Sequence, residues 1–140
     1  MFWLLPDTWT PHDEAELVAG WRLWLELSDR AWPTASWDGT PSGAVGPLRE
    51  LLDACDEIES TCRETAEPSA EFTDIVQPLV LCASAVICLW WDDHAPLDSA
   101  RAKALHEDLR RFSALAERVL TLLSAHGGWT ELDVARRHPA

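Results

Sequence analysis

"LVLCASAVICLWW", Leu79–Trp91, is thirteen residues without a charge, and it runs straight into Asp92, Asp93 and His94. How this stretch is buried decides the fold. It reads in three ways: a membrane span, one wall of a metal site, or the inside of a helical bundle. A bilayer needs about 20 apolar residues. Extending the run back to Ile75 gives 17, and that span contains Gln77 and Pro78. Its flanks, Asp74 and Asp92-Asp93, are acidic, where a spanning helix usually carries basic residues on its cytoplasmic side. The membrane reading is therefore set aside.

The metal reading starts from Asp92, Asp93 and His94, with His106 further along. Carboxylates and imidazole suit Zn²⁺, Mn²⁺ or Fe²⁺. A di-metal bundle, however, takes Glu and Glu-x-x-His from paired helices, and no Glu-x-x-His occurs here. Three consecutive helical residues also point about 100° apart and cannot all face one ion. A buried helix emerging into water accounts for the same residues more simply. The core reading remains: a segment apolar on every face is expected to be covered on several sides.

Working outward, the rest of the chain supplies the cover. A first helix is expected over about 10–32, with Thr10 as N-cap, Pro11 at its first position and Asp13 within capping reach. Leu17, Trp21, Trp24, Leu25, Ser28 and Trp32 form its inward stripe. Residues 33–46, "PTASWDGTPSGAVG", read as a long loop carrying Trp37. A second helix is expected over 47–67, with Leu48, Leu51, Leu52, Cys55, Ile58 and Cys62 inward and an acidic outside. A third covers 69–91, with Phe72, Ile75, Val76 and Leu79 leading into the apolar run. A fourth covers 98–126, capped by Asp98 and closed by Gly127-Gly128, with Leu105, Leu109, Phe112, Ala116, Val119 and Leu123 on one seam. Glu107 and Arg111 are spaced to pair. The expected fold is all-α, an antiparallel four-helix bundle in one domain spanning 1–140.

Composition narrows function. The 140 residues carry 24 acids against 11 bases, a net charge of −13. Residues 49–74 alone hold nine acids and two bases, whereas 99–140 hold five acids and seven bases. Such a body disfavours direct nucleic-acid binding, which needs clustered Lys and Arg, and anionic membrane surfaces. It suits a basic protein partner, because complementary fields speed encounter. The four cysteines form no C-x-x-C pair, and "MFWLLPDTW" lacks the basic start of a signal peptide. Buried thiols in a reducing, cytoplasmic setting are expected. No P-loop, G-x-S-x-G or G-x-G-x-x-G occurs, so no cofactor is expected.

The expected function is a non-catalytic binding module: an inhibitor, an immunity- or antitoxin-like neutraliser, or an accessory subunit. It captures a basic surface through Glu50, Asp53, Asp56, Glu57 and Glu64, with Trp37 as an anchor. One variant is mimicry of nucleic-acid phosphates. Self-association, acidic second helix against basic fourth, belongs to the same class. The alternative is a small metal- or ligand-binding enzyme with its site near Trp90–His94 and His106. Nine Trp against no Tyr leaves Trp3, Trp9 and Trp129 as further anchors, or as side chains folded over open bundle ends. His12 and Glu16, four apart, read as a solvated polar pair at a helix start.

Overall fold

The computed structural model describes residues 5–28, 41–90 and 98–125, the side chains of 41 and 42 excepted. Four helices account for nearly all of them: α1 (Glu14–Ser28), α2 (Pro41–Thr65), α3 (Ala70–Trp90) and α4 (Ser99–Ser124). No strand occurs among the described residues. The helices pack in a square, α1 on α2, α2 on α3, α3 on α4 and α4 back on α1. Their directions follow from side-chain pairs. Arg22 of α1 meets Glu57 of α2 at 3.6 Å, and the 66–69 link turns α3 back along α2. The end of α3 meets the start of α4, where Trp90 Nε1 donates to Asp108 at 3.1 Å and the Arg101 guanidinium lies 5.4 Å from the Trp90 ring. Trp24 Nε1 donates to Ser124 Oγ at 2.9 Å and joins α1 to α4. This is the expected antiparallel four-helix bundle.

Three of the four helix starts, those of α1, α3 and α4, are capped by their own sequence. Asp13 Oδ1 accepts the Glu16 N–H at 2.9 Å, Ser69 Oγ accepts that of Phe72 at 3.2 Å, and Asp98 Oδ1 accepts that of Arg101 at 2.8 Å. Such caps satisfy amides that have no partner inside the helix and contribute about 1 kcal/mol each. The α1 cap corrects the expected start at Thr10. Asp13 reaches the amide three residues on, so Thr10 and Pro11 lie ahead of the helix.

The start of α2 also departs from expectation. The helix begins at Pro41, so 41–46 is helical rather than loop, and Pro47 sits inside it. Proline lacks the N–H that a helix interior requires. Ala44, Val45 and Leu48 are nevertheless buried; their burial offsets the lost bond and holds the turn in register.

One continuous apolar cluster fills the square. The stripes expected on the second, third and fourth helices are its lining: Leu48, Leu51, Cys55, Ile58 and Cys62; Phe72, Ile75, Val76 and Leu79; Leu105, Leu109, Phe112, Ala116, Val119 and Leu123. Only Leu52 is half-buried. The stripe on α1 differs. Leu17, Ala19, Leu23 and Leu27 face the core, while Trp21, Trp24 and Leu25 are half-buried and Ser28 is exposed. The cause is Trp9. Its ring, 3% exposed, lies across Gly20 and 5.8 Å from the Phe72 ring. A Cβ on Gly20 would overlap the ring at Cη2 and stand 3.0 Å from Cζ2. The helix thus turns its small residues inward to admit an indole from outside it. Trp9 is a core residue, not an exposed anchor.

α3 corrects a second expectation. It is, among the described helices, the one long and apolar enough to cross a bilayer by length and composition. Phe72, Ile75, Val76, Leu79, Ala83, Val86 and Trp90 are committed to the core. Val80 and Ile87 are half-buried. Yet the apolar half is not covered all round. Leu81 is 46% exposed and Leu89 69%, and Ala85 and Cys88 are exposed with them. A corner helix in a square has two neighbours, so its outermost side stays open.

Replacing Gly20 with Ala is expected to destabilise the fold. Helix propensity favours the change by about 1 kcal/mol, but forcing volume into a packed site costs about 1–3 kcal/mol. Urea unfolding followed by circular dichroism should show the midpoint fall. Trp9→Phe, which removes the overlapping ring atoms, should make the same Gly20→Ala step less costly.

Candidate interaction surface

Two sets of carboxylates behave in opposite ways. The first is Glu16, expected to be solvated and found 1% exposed. It sits in the first turn of α1, and its side chain reaches three N–H groups. Oε2 accepts from the His12 amide at 2.8 Å and from Trp9 Nε1 at 3.2 Å. Oε1 accepts from the Ser69 amide at 2.6 Å. One carboxylate therefore stands at the positive ends of both α1 and α3 and holds the Trp9 segment between them. Burying a charge costs several kcal/mol. Three charge-assisted hydrogen bonds at about 1.5–3 kcal/mol each are of the size needed to offset it. With every donor supplied by the chain, Glu16 is a structural clamp. The D-x-x-E spacing of Asp13 and Glu16 is the signal that could have moved the cap from Thr10 to Asp13; the reach to Ser69, 53 residues on, left no local trace. His12 itself is exposed.

The second set lies along α2. Glu50, Asp53, Asp56, Glu57 and Glu64 are all exposed. Glu50, Asp53, Glu57 and Glu64 fall at i, i+3, i+7 and i+14, one outward row rising about 21 Å along the helix. Asp56 lies to one side of it. Glu57 meets Arg22 at 3.6 Å with 73% of its side chain exposed. Arg63 pairs with Glu59 at 3.4 Å and Glu67 at 3.8 Å, off the row. Exposed pairs of this kind leave most of the local field in place.

Between α1 and α2 runs a cleft of 160 Å³ lined by Val18, Ala19, Arg22, Ile58 and Cys62 among others. That is below the roughly 300 Å³ at which pockets begin to enclose a small ligand. Burial first, then the charges of Asp13 and Glu16, push the Cys62 thiol above its ordinary value of 9.0. Burial likewise raises Cys82, with Asp108 next. Cys55 is buried, Cys88 is exposed, and all four cysteines are free thiols.

The remaining sequence candidates divide simply. Trp37, Asp92, Asp93 and His94 lie outside the described residues, as do Trp3, Trp32, Trp91, Trp129 and the Gly127-Gly128 stop. His106 is exposed on α4. Among the described residues no group of three or more His, Cys, Asp or Glu is placed to hold a metal ion. The expected Glu107–Arg111 pair is replaced by Arg110–Glu107 at 3.1 Å and Arg111–Asp108 at 3.8 Å; an i,i+3 reach suits both arginines better here. Comparison of the chain with family models, with curated proteins and with solved structures found no match.

Two outcomes are expected. Glu16→Gln keeps the shape but offers one acceptor oxygen and two donors to three N–H groups, and should cost about 1.5–3 kcal/mol. Hydrogen exchange at the Ser69 amide should speed up in parallel. The raised thiols add a pH dependence. The folded chain keeps protons that an unfolded chain gives up above pH 9.0, so stability is full below that value and falls as pH rises through it. Urea midpoints across this range should fall less in Cys62→Ala, and less again when Cys82 is replaced too.

Proposed function

We propose that this protein is a non-catalytic binding module whose acidic α2 face captures a basic surface on a protein partner. An inhibitor, an immunity- or antitoxin-like neutraliser and an accessory subunit all fit this description. The observation that supports it is the outward row Glu50, Asp53, Glu57 and Glu64, with Asp56 beside it, all exposed on one helix. The core lies on the opposite side of α2, and among the described residues the buried acid is Glu16. A ridge of like charge focuses a field that raises association rates with an oppositely charged surface about tenfold or more at low salt. The same row, presented to a groove that accepts nucleic-acid backbone, would occupy the places of phosphates. Trp37, a residue type favoured as a central anchor, completes the reading, and a reducing, cytoplasmic setting matches four free thiols.

Affinity capture from a cell extract, with Glu50→Lys/Asp53→Lys/Glu57→Lys/Glu64→Lys alongside, tests the proposal. The native chain should retain a basic protein that the reversed chain does not, and retention should weaken as salt rises, since exposed charges are screened over about 8–10 Å. Retention indifferent to both reversal and salt would sink it.

A further inference from the structure

Where α1 and α2 face each other through short side chains, they leave a gap. Ala15 and Ala19 of α1 and Thr61 and Thr65 of α2 line the cleft of 160 Å³, and longer side chains at these positions would fill it. Ile58 and Cys62 also line it, and both are buried, so they form its floor. The lining is mostly apolar, a surface that water hydrates poorly. An apolar cavity of about 150 Å³ takes one benzene ring. The cleft is thus small for a free ligand and the right size for one side chain.

The cleft and the acidic row of α2 share an edge. Glu57, Thr61 and Glu64 recur at i, i+4 and i+7, so they stand one above another. Thr61 is exposed and lines the cleft. It is therefore the lip, with an exposed carboxylate about one turn to either side. Seven residues separate Glu57 from Glu64, about 10.5 Å along the helix. Arg49 and Arg63, the bases of α2, lie about 120° and 160° around the helix from Thr61. On the opposite lip, Arg22 of α1 is already held by Glu57 at 3.6 Å.

We propose that this cleft is the anchor pocket of the acidic face and takes one leucine-sized side chain from a basic amphipathic helix of a protein partner. The inference rests on the proposed capture of a basic surface and names the element captured. A furrow between two helices is a groove in which a third can lie. Two basic residues seven apart on that helix match the Glu57–Glu64 spacing, and an aliphatic residue between them, three or four from each, meets the cleft. Charge complementarity selects this occupant: an acidic helix is repelled, and an uncharged one covers Glu57 and Glu64 without pairing them. A second copy of this chain does not supply the pattern. On α4, Arg111 and Arg118 are seven apart, but Leu115 between them is buried in the core. Lys103 and Arg110 have His106 and Glu107 between them. The row speeds encounter, and the cleft fixes the register.

Two synthetic helical peptides rich in Lys and Ala test it on the full chain. Each carries two lysines seven apart, with Leu between them in one and Ala in the other. Leu and Ala are both strong helix formers, so the comparison reads the cleft. Amide chemical shifts of the isotope-labelled chain at low salt give both dissociation constants. The Leu peptide should bind at least about tenfold tighter and shift the amides of Ala15, Ala19 and Thr61. Thr61→Trp roofs the cleft from an exposed position and leaves every charge in place; it should bring the two constants together. A difference that persists in Thr61→Trp overturns the proposal, as do shifts confined to α3 or failure of both peptides to bind. Equal constants that both rise in Glu57→Lys/Glu64→Lys overturn the pocket and leave capture by charge standing.

Discussion

The carboxylate of Glu16 is the point at which three parts of the chain are tied together. It closes the first turn of α1, accepts the Trp9 indole and the His12 amide, and takes the first free amide ahead of α3 at 2.6 Å. Each contact answers a need that burial creates: helix starts carry unsatisfied N–H groups and partial positive charge. Trp9 can then lie over Gly20 and against Phe72. With Trp9 in place, the orientation of α1 is settled, and Leu23 and Leu27 rather than Trp21 and Trp24 become its core face. The inward face of one wall of the bundle thus follows from one buried acid.

The remaining acids serve the outside, and the two sets are separated by the geometry of a square bundle. Each helix has two neighbours and one open side. On α2 that side is acidic and on α4 it carries a basic excess, whereas on α3 it is apolar from Leu81 to Leu89. Leu89 at 69% exposure therefore does not mark a poorly packed helix, because Leu79, Ala83 and Val86 opposite are fully committed to the core. α3 has two apolar faces, one of them turned away from its own bundle. The proposal for α2 draws on this geometric fact.

Much of the architecture was legible along the chain. Heptad-like stripes on three helices, the cap at Asp98, and the exposed carboxylates at Glu50, Asp53, Asp56, Glu57 and Glu64 all follow from spacing alone, because a helix converts spacing directly into direction. Pro47 misled in an instructive way. Proline at a helix start and proline tolerated within one look alike in sequence, and the burial of Ala44 and Val45, which decides between them, is a property of the neighbouring helices. Glu16 misled for a related reason. A short polar pair near a helix start is usually solvated, and only Ser69, far along the chain, takes it out of water.

By itself, then, the amino-acid order determined the elements, their all-α class, the inward side of α2, α3 and α4, and the segregation of charge. These depend on residues within one or two helical turns of each other. Tertiary structure alone decided which acid is buried, which Trp belongs to the core, how α1 is rotated, and how much of the apolar α3 is left open. Those outcomes depend on groups distant in sequence competing for the same space and the same hydrogen bonds, and periodicity within one helix carries no record of that competition.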